Sequence, residues 1–455
     1  MKSLNKFLLS LLAVAILFCS CNNDSYLNVI PASSSALISV DMPALAEKSN
    51  MADKGAILKS LLGVDDPEKC GIDLASKLYL FESAEGHLGL CAKVSSESDL
   101  EEVFNTLNKK GVCEKISEKR GFHFTTLKNV WLAGYSDDAL IVMGPVVKAA
   151  QAELQQKMAR YLDADDEDGI KDSPMFEKLD SMSAPMALVA KAQALPQQFV
   201  APFTLGAPKG TDASQIMIAA DLSIEKGRLK LDGETFSFNK KVDESLKQAA
   251  KVYRPIQGKY LQAMPSSAVV GMFMNVDGKQ FLPMMQNNNA LQMVLAGINT
   301  AIDMDNIMRS VNGDLAIIVP VMSESNTQLM MGAQLAHSNW LADVDYWKQS
   351  CPQGSKITNW GKNAFCYTDG KTSYFFGVSN DLQYYSGSSK GMALGSIKVA
   401  PNPIAADLQA EIKGKKLVMV INIDGEGKEK EALAAMSSIL QPLFGNLNSI
   451  VYSLK

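Results

Sequence analysis

One stretch of this chain occurs twice, and that doubling limits what the chain can fold into. Phe122-His123-Phe124-Thr125, a turn, then Trp131-Leu132-Ala133-Gly134-Tyr135-Ser136-Asp137-Asp138 close at Gly144. A shift of 243 positions gives Phe365-Cys366-Tyr367-Thr368, a turn, then Tyr374-Phe375-Phe376-Gly377-Val378-Ser379-Asn380-Asp381, closing at Gly387. Large and small residues alternate with period two, which is strand patterning. The Ser-Asp-Asp and Ser-Asn-Asp segments suit connecting turns. Both stretches predict the same β-meander.

The surroundings extend the match. Ala36–Asp41 predicts a strand, and Pro43 opens a helical region running to Leu62. Leu78–Phe81 and Leu88–Ala92 predict a hairpin, Ser98-Asp99-Leu100-Glu101 a capping box, and Val146–Leu162 a helix. The second half repeats this order: a strand at Val269–Met274, a helix at Met284–Ile298, a strand around Gly332, a helix after Ser338, then the meander. Helix and strand follow at Ile404–Ile412 and Leu417–Ile423, then a helix over Lys428–Leu440 and a strand over Ser449–Leu454. The expected fold class is α+β, with two related repeats, each an antiparallel or mixed sheet with helices packed on it. The expected divisions are a leader over 1–20, a tether over 21–29, a first repeat over 30–162, an accessory unit over 163–260 and a second repeat over 261–455. The accessory unit includes a hairpin about Glu225-Lys226-Gly227.

Lys2 and Lys6 precede a 12-residue apolar run, Phe7–Phe18. That run is short for a membrane span and suits a signal segment. Cys21 follows Ser20, as in the lipidated cysteine of a bacterial lipoprotein signal, so a palmitate-type anchor at Cys21 is expected. An ordinary cleaved signal peptide is the alternative. Beyond residue 20 there are 42 basic and 49 acidic residues, a balance of −7. Mild acidity gives no footprint for nucleic acid and argues against broad binding to anionic membranes. The lipoprotein resemblance, with Asn22 unlike an inner-membrane retention residue and only Asp24 acidic after the cysteine, implies the cell envelope, at the outer membrane, with the periplasmic face favoured over the cell surface. The membrane is engaged through the N-terminal lipid.

Cys21, the Ile30-Pro31 start before the first strand and Gly71-Ile72-Asp73-Leu74 before a second resemble a family of uncharacterised Bacteroidota lipoproteins. The resemblance spans the chain. It implies a two-repeat α+β architecture and no known activity.

Motifs that carry chemistry fail their spacing tests. Gly387-Ser388-Ser389-Lys390-Gly391 matches a nucleophile elbow, but no histidine follows His337, and a loop is expected instead. Gly425-Glu426-Gly427-Lys428 lacks the glycine and the Ser/Thr of a phosphate loop. The acidic run Asp163–Gly169 has Pro174 where a calcium loop needs Glu, so a solvated loop is expected. His87, His123 and His337 have no metal-ligand spacing. Cys70, Cys91, Cys113, Cys351 and Cys366 form no C-x-x-C, and buried free thiols are expected in a compartment that permits disulfides.

Methionine is the unusual component: eleven of 23 lie between Met264 and Met331. A Met-filled core is expected, with Met272, Met284 and Met331 as lining if a groove exists. No catalytic residue, metal site or cofactor is expected. The function expected is a non-catalytic binding or scaffold module. The alternatives are a carrier for an apolar or glycan ligand in the Met-rich half, and a hydrolase using an unidentified carboxylate pair.

Overall fold

The structure, a computed structural model, describes residues 24–48, 69–289, 292, 301–323, 327–423 and 447–455. Cys21, the leader, the helix expected beyond residue 48, the end of the Met284–Ile298 helix, the Gly425–Lys428 turn and the Lys428–Leu440 helix lie outside the described residues. The fold is α+β. It divides into two compact units. The first is formed by residues up to 34, by 68–83 and by 87–173, and the second takes 35–67, 84–86 and everything from Pro174. Strand β1 (Ala36–Val40) therefore belongs to the second unit, although the order of elements assigned it to the first repeat.

In the first unit the strands are β2 (Leu78–Glu82), β3 (Leu88–Lys93), β4 (Ser117–Lys119), β5 (Phe122–Leu127), β6 (Trp131–Tyr135) and β7 (Ala139–Gly144). They form a sheet in the order β4-β5-β6-β7-β3-β2, with every neighbour antiparallel. The helix Glu97–Lys109 buries Leu100, Val103 and Phe104, and Phe104 stacks on Tyr135 at 5.5 Å. Its cap is Ser96, whose hydroxyl accepts from the Asp99 amide at 3.3 Å. That is two residues earlier than the capping box predicts.

The expected tether does not run to Val29. Ser25–Val29 is a 3₁₀ turn with Tyr26, Leu27, Asn28 and Val29 buried. Three apolar side chains in five residues gain more from burial than from solvent. The turn is also bonded in place. The Tyr26 hydroxyl donates to the Lys77 carbonyl at 3.1 Å, and the Cys91 thiol donates to the Tyr26 carbonyl at 3.2 Å. The Asn28 amide donates to Asp166 at 3.0 Å, and Lys171 also pairs with Asp166. The acidic run is an exposed loop, as its charge pattern predicts, and it is tied to this turn through Asp166.

The second unit adds β8 (Met186–Lys191), β9 (Met217–Glu225), β10 (Arg228–Phe236), β11 (Tyr253–Arg254), β12 (Val270–Asp277), β13 (Val311–Val321) and β14 (Gln328–Leu335). It continues with β15 (Lys356–Gly361), β16 (Ala364–Thr368), β17 (Ser373–Val378), β18 (Gln383–Gly387), β19 (Leu417–Asn422) and β20 (Ser449–Leu454). The sheet runs β1-β8-β9-β10-β20-β19-β12-β13-β14-β18-β17-β16-β15, and β11 pairs with the far end of β12. The β10–β20 pairing is parallel, and the other neighbours in this order are antiparallel. One core gathers Phe273, Ile318, Val418 and Val420 of the sheet under Leu408 and Ile412 of the helix Ala406–Ile412.

The run β15-β16-β17-β18-β14-β13 has the same order and the same antiparallel senses as β4-β5-β6-β7-β3-β2. The register differs, which corrects the residue-by-residue match. Phe124 pairs with Gly134, ten positions on, whereas its counterpart Tyr367 pairs with Tyr374, seven on. Gly134 pairs with Ile141, seven on, and its counterpart Gly377 with Tyr385, eight on. Hairpin register is set by where the turn falls, so turns placed at different points slide the partners even where side chains agree. The turn serines do agree: the Ser136 and Ser379 hydroxyls accept from the Ala139 amide at 3.2 Å and the Gln383 amide at 3.0 Å.

Asp314 of β13 fixes the entry to the second run of strands. Its buried carboxylate accepts from the amides of Gln257, Gly258 and Lys259 at 2.9, 2.7 and 2.8 Å, and from the Asn275 side chain at 2.9 Å. Removing it leaves four donors without their acceptor. Asp314→Ala is expected to lower stability by about 3 kcal/mol, and Asp314→Asn by less. Urea denaturation of the variants checks this, and a loss of under about 1 kcal/mol for the alanine variant would contradict the clamp.

Candidate functional site

Two concavities in the second unit are built by elements far apart in sequence. The larger is an open groove of about 570 Å³ between the helices Lys240–Ala250 and Gly278–Asn287. The first helix begins at Asn239, whose side chain caps the Lys241 and Val242 amides, and it buries Val242, Leu246 and Ala249. This leaves Lys241, Glu244, Ser245 and Gln248, spaced by three and four, along one wall. Asn287 stands on the opposite wall, and Ala249, Val252, Pro283 and Met284 supply the apolar lining.

The segment at 201–207 holds the groove's end. Asn288 donates to the Ala201 carbonyl at 3.1 Å and to the Thr204 hydroxyl at 2.9 Å. Gly206 then passes close over the first helix at φ +89°. A Cβ there would stand 2.1 Å from the Ala249 methyl and 3.5 Å from the Met284 terminal methyl. Only glycine fits both the left-handed backbone and that approach.

The three methionines expected to line one groove do not meet there. Met284 lines it. Met272 and Met331 lie in β12 and β14 on either side of Ile317, paired with it across the sheet, and both are buried. Methionine content signalled a filled sheet face, with one thioether at the opening. The polar wall went unnoticed because its spacing is that of any amphipathic helix.

The second cavity, of about 250 Å³, lies between the sheet and the helix Ala406–Ile412. Arg228, Lys230 and Asp232 alternate along β10 and share a face, while Asp407 and Glu411 are four apart on the helix. Arg228 grips Asp407 with both terminal nitrogens, at 3.2 and 2.5 Å, and Lys226 reaches it at 2.9 Å. Lys230 bridges Glu225 at 2.6 Å and Glu411 at 3.1 Å. Lys415 meets Asp232 at 2.9 Å, and the Ser453 hydroxyl also donates to Asp232. Asp232 and Glu411 thus share a cavity, each tied to a lysine. Burial alone would raise the Asp232 carboxyl, but Ser453 and Lys415 outweigh it and hold it below the usual carboxylate range. Such a group is a poor proton donor near neutral pH.

The remaining candidates have structural roles. Ser389 follows β18 and caps the helix Lys390–Gly395, accepting from the Met392 amide at 3.2 Å, where a flexible loop was expected. His123 lies 3.3 Å from Glu97 and stacks on Tyr135 at 5.1 Å, and His337 lies 3.4 Å from the Ser310 hydroxyl. The five cysteines are free thiols, with Cys70, Cys91 and Cys113 buried. Among the described residues no group of three or more His, Cys, Asp or Glu could hold a metal ion, and no helix is long and apolar enough to cross a membrane.

These features define an α+β protein on a mixed, mostly antiparallel sheet, with an open helix-walled groove and a charged cavity in its second unit. The chain belongs to the family described as a domain of unknown function, DUF4836, whose model matches residues 26–428. No curated protein matches it. Among solved structures, crystal form IV of TP0453 is similar at TM-score 0.30 and 10% identity, over 48% of this chain and 81% of that one. Crystal form III is similar at TM-score 0.25 and 8% identity, over 82% and 97%. Likeness this weak says nothing about what this chain does.

The ion-pair clasp carries a pH signature. Hydrogen bonds from Arg228, then Lys226, hold Asp407 well below the usual carboxylate range. A carboxyl depressed on folding stabilises above its unfolded pKa of about 4, and that stability is lost as pH falls through the folded value. Asp407→Asn is expected to lower the thermal midpoint at pH 7, with the gap from wild type closing under acid conditions. Midpoints measured across pH check this, and a gap constant down to strong acid would contradict it.

Proposed function

We propose that this chain is a membrane-anchored, non-catalytic binding or scaffold protein of the cell envelope, holding a partner in the groove beside Met284. The groove itself carries the proposal. It is open, about 570 Å³ in volume, apolar at its base, and walled by one polar helix face fixed on the sheet. Pockets of this size with a few placed polar groups suit recognition. The matching strand orders support reading the chain as two copies of one unit.

Cys21 supports the anchor, at the outer membrane and with the periplasmic face favoured. The folded unit begins at Ser25, four residues on. Those residues span at most about 14 Å, so an acylated Cys21 would hold the first unit against its bilayer. The carrier alternative is weaker because Met272 and Met331 line no common opening with Met284. The hydrolase alternative is weaker because Asp232, held below the usual carboxylate range by Ser453 and Lys415, is a poor proton donor.

Affinity capture of the full chain from envelope, quantified by mass spectrometry, tests the groove. Proteins retained by wild type are expected to be lost from both Met284→Lys and Ser245→Arg. Equal recovery by all three chains would sink the groove's role. Palmitate labelling tests the anchor: Cys21→Ala is expected to lose the label, and equal labelling would remove the anchor from the account.

A further inference from the structure

The second cavity holds two charges of each sign, Lys230 and Lys415 against Asp232 and Glu411, and sums to none. Its pairings are redundant. Lys230 keeps Glu225 at 2.6 Å if Glu411 turns away, and Asp232 keeps the Ser453 hydroxyl if Lys415 turns away. Glu411 and Lys415 can each take a bound partner without stranding the group they leave, which removes the main penalty for opening a partly buried pair. Between the charges lie Ile412, Val418 and Val451, all buried. The volume, about 250 Å³, is below that of drug-sized sites.

We propose that this cavity binds a small zwitterion, an α-amino acid with a short branched apolar side chain. Its ammonium would sit on Glu411, its carboxylate on Lys415, and its side chain over Val418 and Val451. A lone anion or cation brings one uncompensated charge into a neutral lining and leaves one lysine or acid without exchange. A zwitterion satisfies both at once through charge-assisted hydrogen bonds. The site shares no residue with the groove and stands or falls separately from it.

Calorimetric titration of the full chain with L-valine, isobutyrate and isobutylamine tests this. Valine is expected to bind, with either single-charge analogue weaker by about tenfold or more. Lys415→Met and Glu411→Gln are each expected to weaken valine by a similar factor. No valine binding at millimolar concentration, isobutyrate binding as tightly as valine, or valine binding indifferent to both substitutions would each overturn the proposal. If a variant fails to fold, the three-ligand comparison on wild type still decides.

Discussion

The second unit depends on where its final strand goes. β20 lies between β10 and β19, parallel to the first and antiparallel to the second, with all six residues buried. Without it the run β1-β8-β9-β10 and the run from β19 to β15 have no shared backbone pairing through this point. A buried strand must have its amides and carbonyls satisfied on both sides, and here both neighbours come from earlier in the chain. Such long-range pairing forms late and at high loop-closure cost. The charged clasp reinforces the same seam, since Arg228 and Lys230 bind the helix Ala406–Ile412 and Asp232 binds Lys415 just beyond it.

Legibility followed locality. Hairpins and helices read well because each is decided by spacing within a dozen residues: β9–β10 turns at Lys226-Gly227, both with positive φ, as the local pattern predicts. The meanders read as alike because their aromatic and turn residues agree. Their registers did not, because a turn displaced between matched positions is invisible to residue-type matching. Tyr26–Val29 was taken for leash because it follows a signal-like run, although its own composition is that of core. β1 was assigned to its sequence neighbours, while its partner β8 arrives about 150 residues later.

The two concavities illustrate the harder limit. No single segment carries either. The groove joins the 201–207 turn to two helices, and the cavity joins β10, β20, β19 and a helix. Of the methionines clustered between 264 and 331, Met284 lines the groove, while Met272, Met274, Met330 and Met331 lie in strands of the sheet. Charges scattered over 225–232 and 407–415 carry no spacing that marks them as a pair. They become a site only when the topology sets two stretches some 180 residues apart face to face.

The buried start of the first unit has a mechanical consequence. Tyr26 is bonded to Lys77 and Cys91 on the sheet side, and Asn28 to the pinned loop at Asp166. A pull applied upstream of Asp24 meets no slack beyond that point. It is delivered straight to the strands beside Lys77 and Cys91, so strain at that point registers as distortion of the first unit's sheet.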